Sequence, residues 1–441
     1  MGKQLRIWLF ALLGSLLTSS TLLAEGIITM TTSERVGEEI QLIIKANGNV
    51  TIEGAQETGQ ANESGFKPYR LTSQTITIRG DVTELDCNEN QLTSLNVSKN
   101  TALTSLECSY NQLTSLDVSK NTALTKLDCC CNQLTSLEVS KNTALEVLNC
   151  FSNQLTSLEV SKNTALTKLW CSYNQLTSLD LSQNIALTKL DCSYDQLTSL
   201  DVSGCTALTE LNCINNQLTS LDVSKNTVLT ELECSYNQLT SLDLSQNTAL
   251  TELFCHSNQL TSLDVSKNTA LEVLDCLYNQ LTNLDVSKNT TLTSLECSYN
   301  QLTSLEVSKN TALEVLNCFS NQLTSLEVSK NTALTRLNCD YNQLTSLDVS
   351  KNTALTTLGC NDNKLTNLNM SGCANLMVIS CSNNYINGKA MTKLVNSLPN
   401  RRGKSSGTIV IVDRSSKKRN ENRCSAADVT TAKRKNWKVR Q

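Results

Sequence analysis

A 21-residue unit repeats from Val82 onward, and this repeat restricts the possible folds more than any other feature of the chain. One copy reads Leu103-Thr-Ser-Leu-Glu-Cys-Ser-Tyr-Asn-Gln-Leu-Thr-Ser-Leu-Asp-Val-Ser-Lys-Asn-Thr-Ala123. The unit occurs fourteen times up to Asn375, and a fifteenth begins at Leu376. A unit of this size cannot bury its apolar face alone, whereas stacked neighbours share a continuous core. The repeat therefore predicts a solenoid rather than the two or three globular domains that 441 residues would otherwise suggest.

The apolar positions within one unit predict the shape of a coil. Leu103, Leu106 and Cys108 have the LxxLxL spacing that turns alternate side chains inward from a short strand, and the spacing recurs from Leu113 to Val118. Too few residues remain for a helix. We therefore predict a mostly β repeat solenoid with short parallel strands on both sides of each flattened coil. Irregular or 3₁₀ backbone on the second side is the alternative.

Two columns of asparagine mark the bends of each coil. A buried Asn has two donors and one acceptor, so it can satisfy backbone groups of its own bend and of the next coil. The first bend is Asn in fourteen of fifteen coils, with Asp195 as the exception, and Cys205 and Cys373 replace Asn at the second bend. We predict a structural role for both columns, for example at Asn111, Asn121, Asn132, Asn153 and Asn174.

These residues resemble the leucine-rich-repeat family, specifically the short bacterial class with 21-residue units whose two halves both read LxxLxL. The resemblance covers about two-thirds of the chain and includes fifteen in-register cysteines and both bend columns. It implies a secreted or surface protein similar to internalin-like proteins, which acts by recognising a protein ligand, for example in adhesion to host or neighbouring cells. The fold does not identify that ligand.

The first 24 residues predict a signal peptide. Lys3 and Arg6 precede an apolar run from Ile7 to Leu17, and Ala24 offers a cleavage site. The run is shorter than the roughly 20 residues of a membrane-spanning helix. We therefore predict an exported chain that is secreted, periplasmic or at the cell surface, without a transmembrane segment after cleavage.

Both ends of the solenoid, residues 82–386 with about 14.5 units, need caps because an open end exposes apolar core and strand edges. Residues 25–81 predict a β cap, in which Thr75–Arg79 forms the rung beneath Val82. Residues 387–441 predict an αβ cap with a capping box from Ser425 to Asp428. This cap has fifteen Lys or Arg and three Asp or Glu, a net charge of about +12 (15 − 3). No nucleic-acid-binding motif accompanies that charge, so we predict no nucleic-acid partner.

Fifteen cysteines lie 21 residues apart, from Cys87 to Cys381. Parallel, in-register Cβ vectors do not readily give the χ₃ near 90° of a disulfide, and an odd column cannot fully pair. A single column also supplies no tetrahedral metal site. We predict buried free thiols that fill the core. The predicted reactive thiols are Cys130, Cys131 and Cys424.

The sequence does not predict an enzyme or a cofactor. His256 is the single histidine, which excludes a multi-histidine metal site or a His-based triad, and the carboxylates form straight columns rather than a cleft. Twelve of fourteen coils have Asp or Glu at the Asp117 position, where repulsion could raise pKa values or recruit Ca²⁺. Ten coils have Lys three residues later, as at Lys120, which favours a neutralising surface ladder over calcium.

The outward positions of the first strand vary most between coils. Large exposed aromatics among acids are typical of a contact surface. The predicted binding patch is Phe151, Trp170, Tyr173 and Tyr194, with Tyr236 and Phe254 near a second patch.

Two alternatives remain open. The tyrosines could merely stack on one another, or the chain could be a structural spacer, because Leu134–Thr167 and Leu302–Thr335 are identical. The oligomeric state is not predicted.

Overall fold

The computed structural model describes residues 26–412 and 422–440. The predicted signal peptide, residues 1–24, lies outside the described residues. In the described ranges, no helix has both the length and the apolarity needed to cross a membrane.

Two strands of the N-terminal cap cover the two sides of the first coil separately. Antiparallel pairing joins β2 to β7 on the first side and β1 to β8 on the second, whereas β6 pairs with β1 and β3. The prediction that Thr75–Arg79 forms the rung beneath Val82 is therefore wrong. Only Gly80 and Asp81 separate these strands, so the chain turns from one sheet into the other instead of making a coil. The strands are β1 (Ile27–Thr32), β2 (Glu39–Ala46), β3 (Thr51–Glu53), β4 (Ala55–Glu57), β5 (Lys67–Leu71), β6 (Thr75–Arg79), β7 (Val82–Asp86) and β8 (Leu92–Lys99).

A parallel sheet runs along the first side of the solenoid, with one short strand per coil. Pairing is in register, so that Leu127 lies between Leu106 and Leu148 of the neighbouring coils. The inward leucines and cysteines are fully buried, and they form columns through a continuous core. This arrangement confirms the leucine-rich-repeat solenoid. The strands of this sheet are β9 (Ser105–Glu107), β10 (Lys126–Asp128), β11 (Val147–Asn149), β12 (Lys168–Trp170), β13 (Lys189–Asp191), β14 (Glu210–Asn212), β15 (Glu231–Glu233), β16 (Glu252–Phe254), β17 (Val273–Asp275), β18 (Ser294–Glu296), β19 (Val315–Asn317), β20 (Arg336–Asn338), β22 (Thr357–Gly359) and β24 (Val378–Ser380). Two further strands, β21 (Leu347–Asp348) and β23 (Leu368–Asn369), lie on the second side.

The second side of the coils mostly lacks strands, which corrects the expectation of strands on both sides. Beyond β8, the described second side pairs only at β21–β23 and at one bridge between Glu138 and Glu159. The alternative of irregular backbone holds in the other coils. One reason is local: the Asp117 carboxylate accepts a hydrogen bond from the Ser119 N–H at 2.9 Å, and such turns compete with a strand ladder.

The C-terminal cap extends the sheet and confirms the predicted αβ unit. It contains α1 (Lys389–Ser397), β25 (Gly407–Val410), α2 (Ala426–Arg434) and β26 (Trp437–Arg440). Parallel pairing joins β24 to β25 and β25 to β26, while Ser425 and Asp428 form the capping box of α2. The buried Trp437 donates its Nε1–H to the Pro399 carbonyl at 2.8 Å. The last coil is thereby covered.

Candidate binding surface

The first-bend asparagines hold each coil to the preceding one. Asn132 Nδ2 donates to the carbonyls of Cys129 at 3.2 Å and Cys130 at 3.1 Å, and to Cys108 of the preceding coil at 2.9 Å. Its Oδ1 accepts the Leu113 N–H at 3.0 Å. The bonds run to the preceding coil rather than to the next one. Asn111, Asn153 and Asn174 bond their own and the preceding coil in the same way.

The second-bend asparagines form fewer bonds. Asn121 Nδ2 donates to the carbonyls of Val97 at 3.1 Å and Asn100 at 2.7 Å, both in the preceding coil. Its buried Oδ1 has no protein donor among the described residues. Together the two columns set the register of the stack, and with it the positions of the exposed side chains.

The first-strand face presents two outward columns on either side of the inward leucine. We call the position before the leucine the leading column and the position after it the trailing column. In coils three to nine both columns are half-buried, and neighbours in a column lie about 4.8 Å apart. The leading column is Lys126, Val147, Lys168, Lys189, Glu210, Glu231 and Glu252; the trailing column is Asp128, Asn149, Trp170, Asp191, Asn212, Glu233 and Phe254.

Phe151 and Trp170 line one cavity of about 500 Å³, which we call the Trp170 pocket. Val147 of the fourth coil lies between the longer Lys126 and Lys168, and Asn149 lies beside the much larger Trp170, so the cavity opens above the fourth coil. Both aromatic residues were predicted from the sequence, whereas the cavity between them was not. The full lining is Lys126, Asp128, Val147, Asn149, Phe151, Lys168 and Trp170.

Tyr173 connects the pocket to a row of exposed rings. It contacts Phe151 edge-on at 5.1 Å between ring centroids and stacks on Tyr194 at 4.2 Å. Tyr173 is 46% exposed and Tyr194 is 39% exposed, so stacking leaves much of both rings accessible. The structure thus brings together the four residues of the predicted patch, and it also shows the self-stacking that was the alternative for the tyrosines.

The second predicted patch is not one ring cluster. Tyr236 contacts the ring of His256 at 4.8 Å. Phe254 lies on the strand face between Glu233 and Asp275. Among the ring contacts of the described residues, none joins Tyr236 to Phe254.

A longer aromatic row near the C-terminal end was not predicted from the sequence. Successive centroid distances along it are 4.0, 4.9 and 5.1 Å. Phe319 and Tyr341 lie 168 residues after Phe151 and Tyr173, the same offset as the identical blocks, so the duplication could have revealed them. Asn338 stands where this offset would place a tryptophan, and the copy therefore lacks the Trp170 wall. The row is Tyr278, Tyr299, Phe319 and Tyr341.

Carboxylates on the first-strand face are partly desolvated. Burial raises the pKa of Glu233 to about 7, and its hydrogen bond with Glu231 acts in the same direction. Burial also raises the pKa of Asp275 to about 6. These groups favour neutralisation, either by a proton or by a cationic partner.

The Asp117 column behaves differently from the expectation of raised pKa values. The Ser119 side chain and backbone N–H donate to Asp117 and lower the pKa of its carboxyl. The same arrangement at Ser224 lowers the pKa of Asp222. Within residues 26–412 and 422–440, no group of three or more His, Cys, Asp or Glu could hold a metal ion. Calcium binding by this column stays a prediction.

The structure separates the three candidate thiols. Cys130 is only 7% exposed, and burial raises its pKa to about 12, which argues against the reactivity predicted for it. Cys131 and Cys424 are half-buried. The fifteen-membered column is free of disulfides and buried, and burial raises the pKa of each thiol, for example well above its usual range at Cys213.

The repeated coils, in-register sheet and bend columns define a bacterial leucine-rich-repeat solenoid of the internalin-like class, and the chain belongs to this family. It is similar to the functional domain of InlJ from Listeria monocytogenes, which is described as including a cysteine ladder. The two are 40% identical over 78% of this chain and 77% of that one, with a TM-score of 0.70.

Two further structures share the fold. A leucine-rich-repeat protein from Leptospira interrogans is 23% identical over 81% of this chain and 95% of its own, with a TM-score of 0.66. The internalin InlF from Listeria monocytogenes is 23% identical over 67% and 84%, with a TM-score of 0.53. No protein-family model matches the chain, and no curated protein matches its sequence.

Proposed function

We propose that this chain is an exported binding protein, secreted or displayed at the cell surface, that recognises another protein through its first-strand face. The observation that carries the proposal is the Trp170 pocket. On a scaffold whose positions otherwise repeat, Trp170 is the one tryptophan of the trailing column, and it lines a cavity together with Phe151. Buried aromatic anchors surrounded by polar residues are typical of protein-binding hot spots.

The family supports a protein-interaction repeat as the coarser statement of function. Adhesion to host or neighbouring cells is one way in which such a domain could act at a surface. The straight carboxylate columns and single histidine support a binding role rather than catalysis.

The test is capture of a partner from host-cell and bacterial surface extracts by the mature chain, followed by measurement of its affinity. The double variant Phe151→Ala, Trp170→Ala should weaken binding of that partner by at least tenfold, since hot-spot truncations cost about 2 kcal/mol or more. Phe319→Ala is the matched control, because Phe319 occupies the position of Phe151 in the identical block but has no tryptophan neighbour. An unchanged affinity of the double variant would reject the patch.

A structural spacer is the second candidate function, and the identical blocks Leu134–Thr167 and Leu302–Thr335 favour it. A spacer needs length but no ligand. It predicts that the same extracts contain no protein retained in a Trp170-dependent manner, and that outward residues can be exchanged without consequence.

A further inference from the structure

The leading column of the first-strand face separates its charges into two blocks. Lys126, Lys168 and Lys189 occupy coils three to six, and the acidic block follows in coils seven to nine. In-register pairing places Lys168 beside Lys189 and Glu231 beside its two glutamate neighbours. Like charges directly opposite each other on neighbouring strands are destabilising. The acidic block is Glu210, Glu231 and Glu252.

Only part of this charge is neutralised within the molecule. Lys189 pairs with Glu210 at 2.5 Å where the blocks meet, and Lys126 pairs with Glu107 at 2.6 Å. Among the described residues, Lys168 and Glu231 form no ion pair. One ammonium and several carboxylates thus remain available on the same face.

The Trp170 pocket lies within the basic block, and its polar lining is largely occupied. Asn149 Nδ2 donates to Asp128 Oδ2 at 3.1 Å, and Asp128 Oδ1 accepts the Cys130 N–H at 3.2 Å. What remains for a ligand is the apolar surface of Trp170 and its neighbours, together with Lys168, which also lines the pocket. An aromatic side chain beside a carboxylate matches this combination, because it stacks on the rings and pairs with the lysine.

The acidic block selects the opposite charge. Glu233 of the trailing column lies two residues from Glu231 on β15, so both side chains project from the same face of the strand. Phe254 borders them and lowers the local polarity. A Lys or Arg side chain of a partner would relieve this crowding.

We propose that the partner binds as an extended aromatic–acidic–basic protein segment lying along the rod, because Lys168 lies between the Trp170 pocket and the acidic block. Its aromatic side chain enters the Trp170 pocket, the adjacent carboxylate pairs with Lys168, and a basic group pairs with Glu231 and Glu252. From the fourth coil to the eighth and ninth is four to five steps of about 4.8 Å, or roughly 19–24 Å. At about 3.3 Å per extended residue, the basic group lies six to seven residues from the aromatic one. This inference rests on the proposed function.

Charge complementarity favours this protein segment over two other possible ligands, a polyanion and a second copy of the chain. A polyanion would pair with the lysines but meet the glutamate block. A second copy placed antiparallel would match the two charge blocks of the leading column, but it would also oppose two trailing columns, whose Asp128, Asp191 and Glu233 have the same sign.

Two peptides of identical composition test the proposal directly. The probe is Tyr-Glu-Glu-Ser-Gly-Ser-Lys-Lys with fluorescein at its C-terminus, and the control is the equally labelled Tyr-Lys-Lys-Ser-Gly-Ser-Glu-Glu, in which the basic residues adjoin the aromatic one. Anisotropy titrations of the mature chain at low salt should show at least tenfold tighter binding of the probe, since each tenfold step needs only about 1.4 kcal/mol. Equal binding, a reversed preference or no binding of the probe at millimolar protein would overturn the proposal.

A charge-exchanged variant gives the matched protein control. Lys168→Glu combined with Glu231→Lys and Glu252→Lys should reverse the peptide preference, and Trp170→Ala should weaken the probe. Circular dichroism confirms that each variant is folded.

The partner captured by the mature chain distinguishes the two proposals. If that partner depends on Trp170 but binds the charge-exchanged variant equally well, the segment model fails and the proposed function stands. If Phe151→Ala, Trp170→Ala leaves its affinity unchanged, the proposed function itself fails.

Discussion

At the residue scale, Asp195 shows what the bend column requires. It accepts the Leu176 N–H at 2.9 Å, as asparagines do, but an ionised carboxylate cannot donate to the carbonyls that Asn Nδ2 serves in other coils. Its Oδ2 is buried without a hydrogen-bond partner among the described residues. Burial is the main cause that raises the pKa of Asp195 to about 7.

Asp195→Asn should stabilise the chain in a pH-dependent manner. The folded pKa of about 7 exceeds the unfolded value near 3.9, so the native state binds an extra proton between these limits and stability falls as pH rises through them. The substitution should add about 1–2 kcal/mol at pH 8 and less at pH 5. Thermal unfolding at both pH values measures this, with Asn216→Asp as the opposite change in the next coil. Equal gains at both pH values would contradict the titration of Asp195.

Thiol accessibility should follow burial rather than position in sequence. Iodoacetamide at pH 8 should modify Cys131 and Cys424 in the native chain, whereas Cys130 and the column should react only after denaturation, because thiolate is the nucleophile and burial suppresses it. Peptide mass spectrometry with and without denaturant gives the result. A Cys131→Ser variant is the control, and inter-coil disulfides in the native chain would contradict the prediction.

At the scale of the coil, the two bends differ in how much hydrogen bonding one asparagine supplies. Asn237 Nδ2 donates to three carbonyls and its Oδ1 accepts the Leu218 N–H at 3.0 Å. Asn247 Nδ2 donates to two carbonyls, and its Oδ1 has no protein donor among the described residues. Cys373 replaces the second-bend residue and donates its Sγ–H to the Val349 carbonyl at 3.0 Å.

Asn237→Cys should therefore destabilise the chain more than Asn247→Cys. Each buried backbone group left without a partner costs about 1–3 kcal/mol, and the first bend loses more of them. Urea unfolding of the two variants beside the parent measures the difference. If Asn247→Cys destabilises the chain as much as Asn237→Cys or more, the stability of the bends does not depend on these side-chain hydrogen bonds.

At the scale of the whole molecule, stability depends on neighbour interfaces that are nearly interchangeable. Deletion of Leu229–Ala249 restores an equivalent interface and should cost little. Leu232→Asp should cost several kcal/mol, because the Leu232 position is fully buried and the carboxylate would have no partner. Thermal unfolding compares the two, with Thr240→Asp as an exposed carboxylate in the same coil. If the deletion unfolds as readily as Leu232→Asp, the coils are not interchangeable.

The sequence alone determined the features that depend on local periodicity. The 21-residue spacing of leucine, cysteine and asparagine sets which side chains turn inward and where the backbone bends. The αβ cap was also predictable, since α2 begins at a capping box and the apolar spacing of α1 is local. The antiparallel pairing in the N-terminal cap could not be predicted from the sequence, because strands such as β2 and β7 pair across a sequence separation that no local pattern encodes.

Some features of the candidate site could likewise be predicted from the sequence, whereas others depended on the tertiary structure. The sequence identified Trp170 and Phe151 as large residues at outward positions, because the repeat assigns every position a direction. Only the tertiary structure decided that they share a cavity, that Tyr236 contacts His256 rather than Phe254, and that Lys168 is left without an ion pair among the described residues. The physical reason is that neighbours on this face come from different coils, so a pocket depends on the volumes and side-chain orientations of residues 21 positions apart.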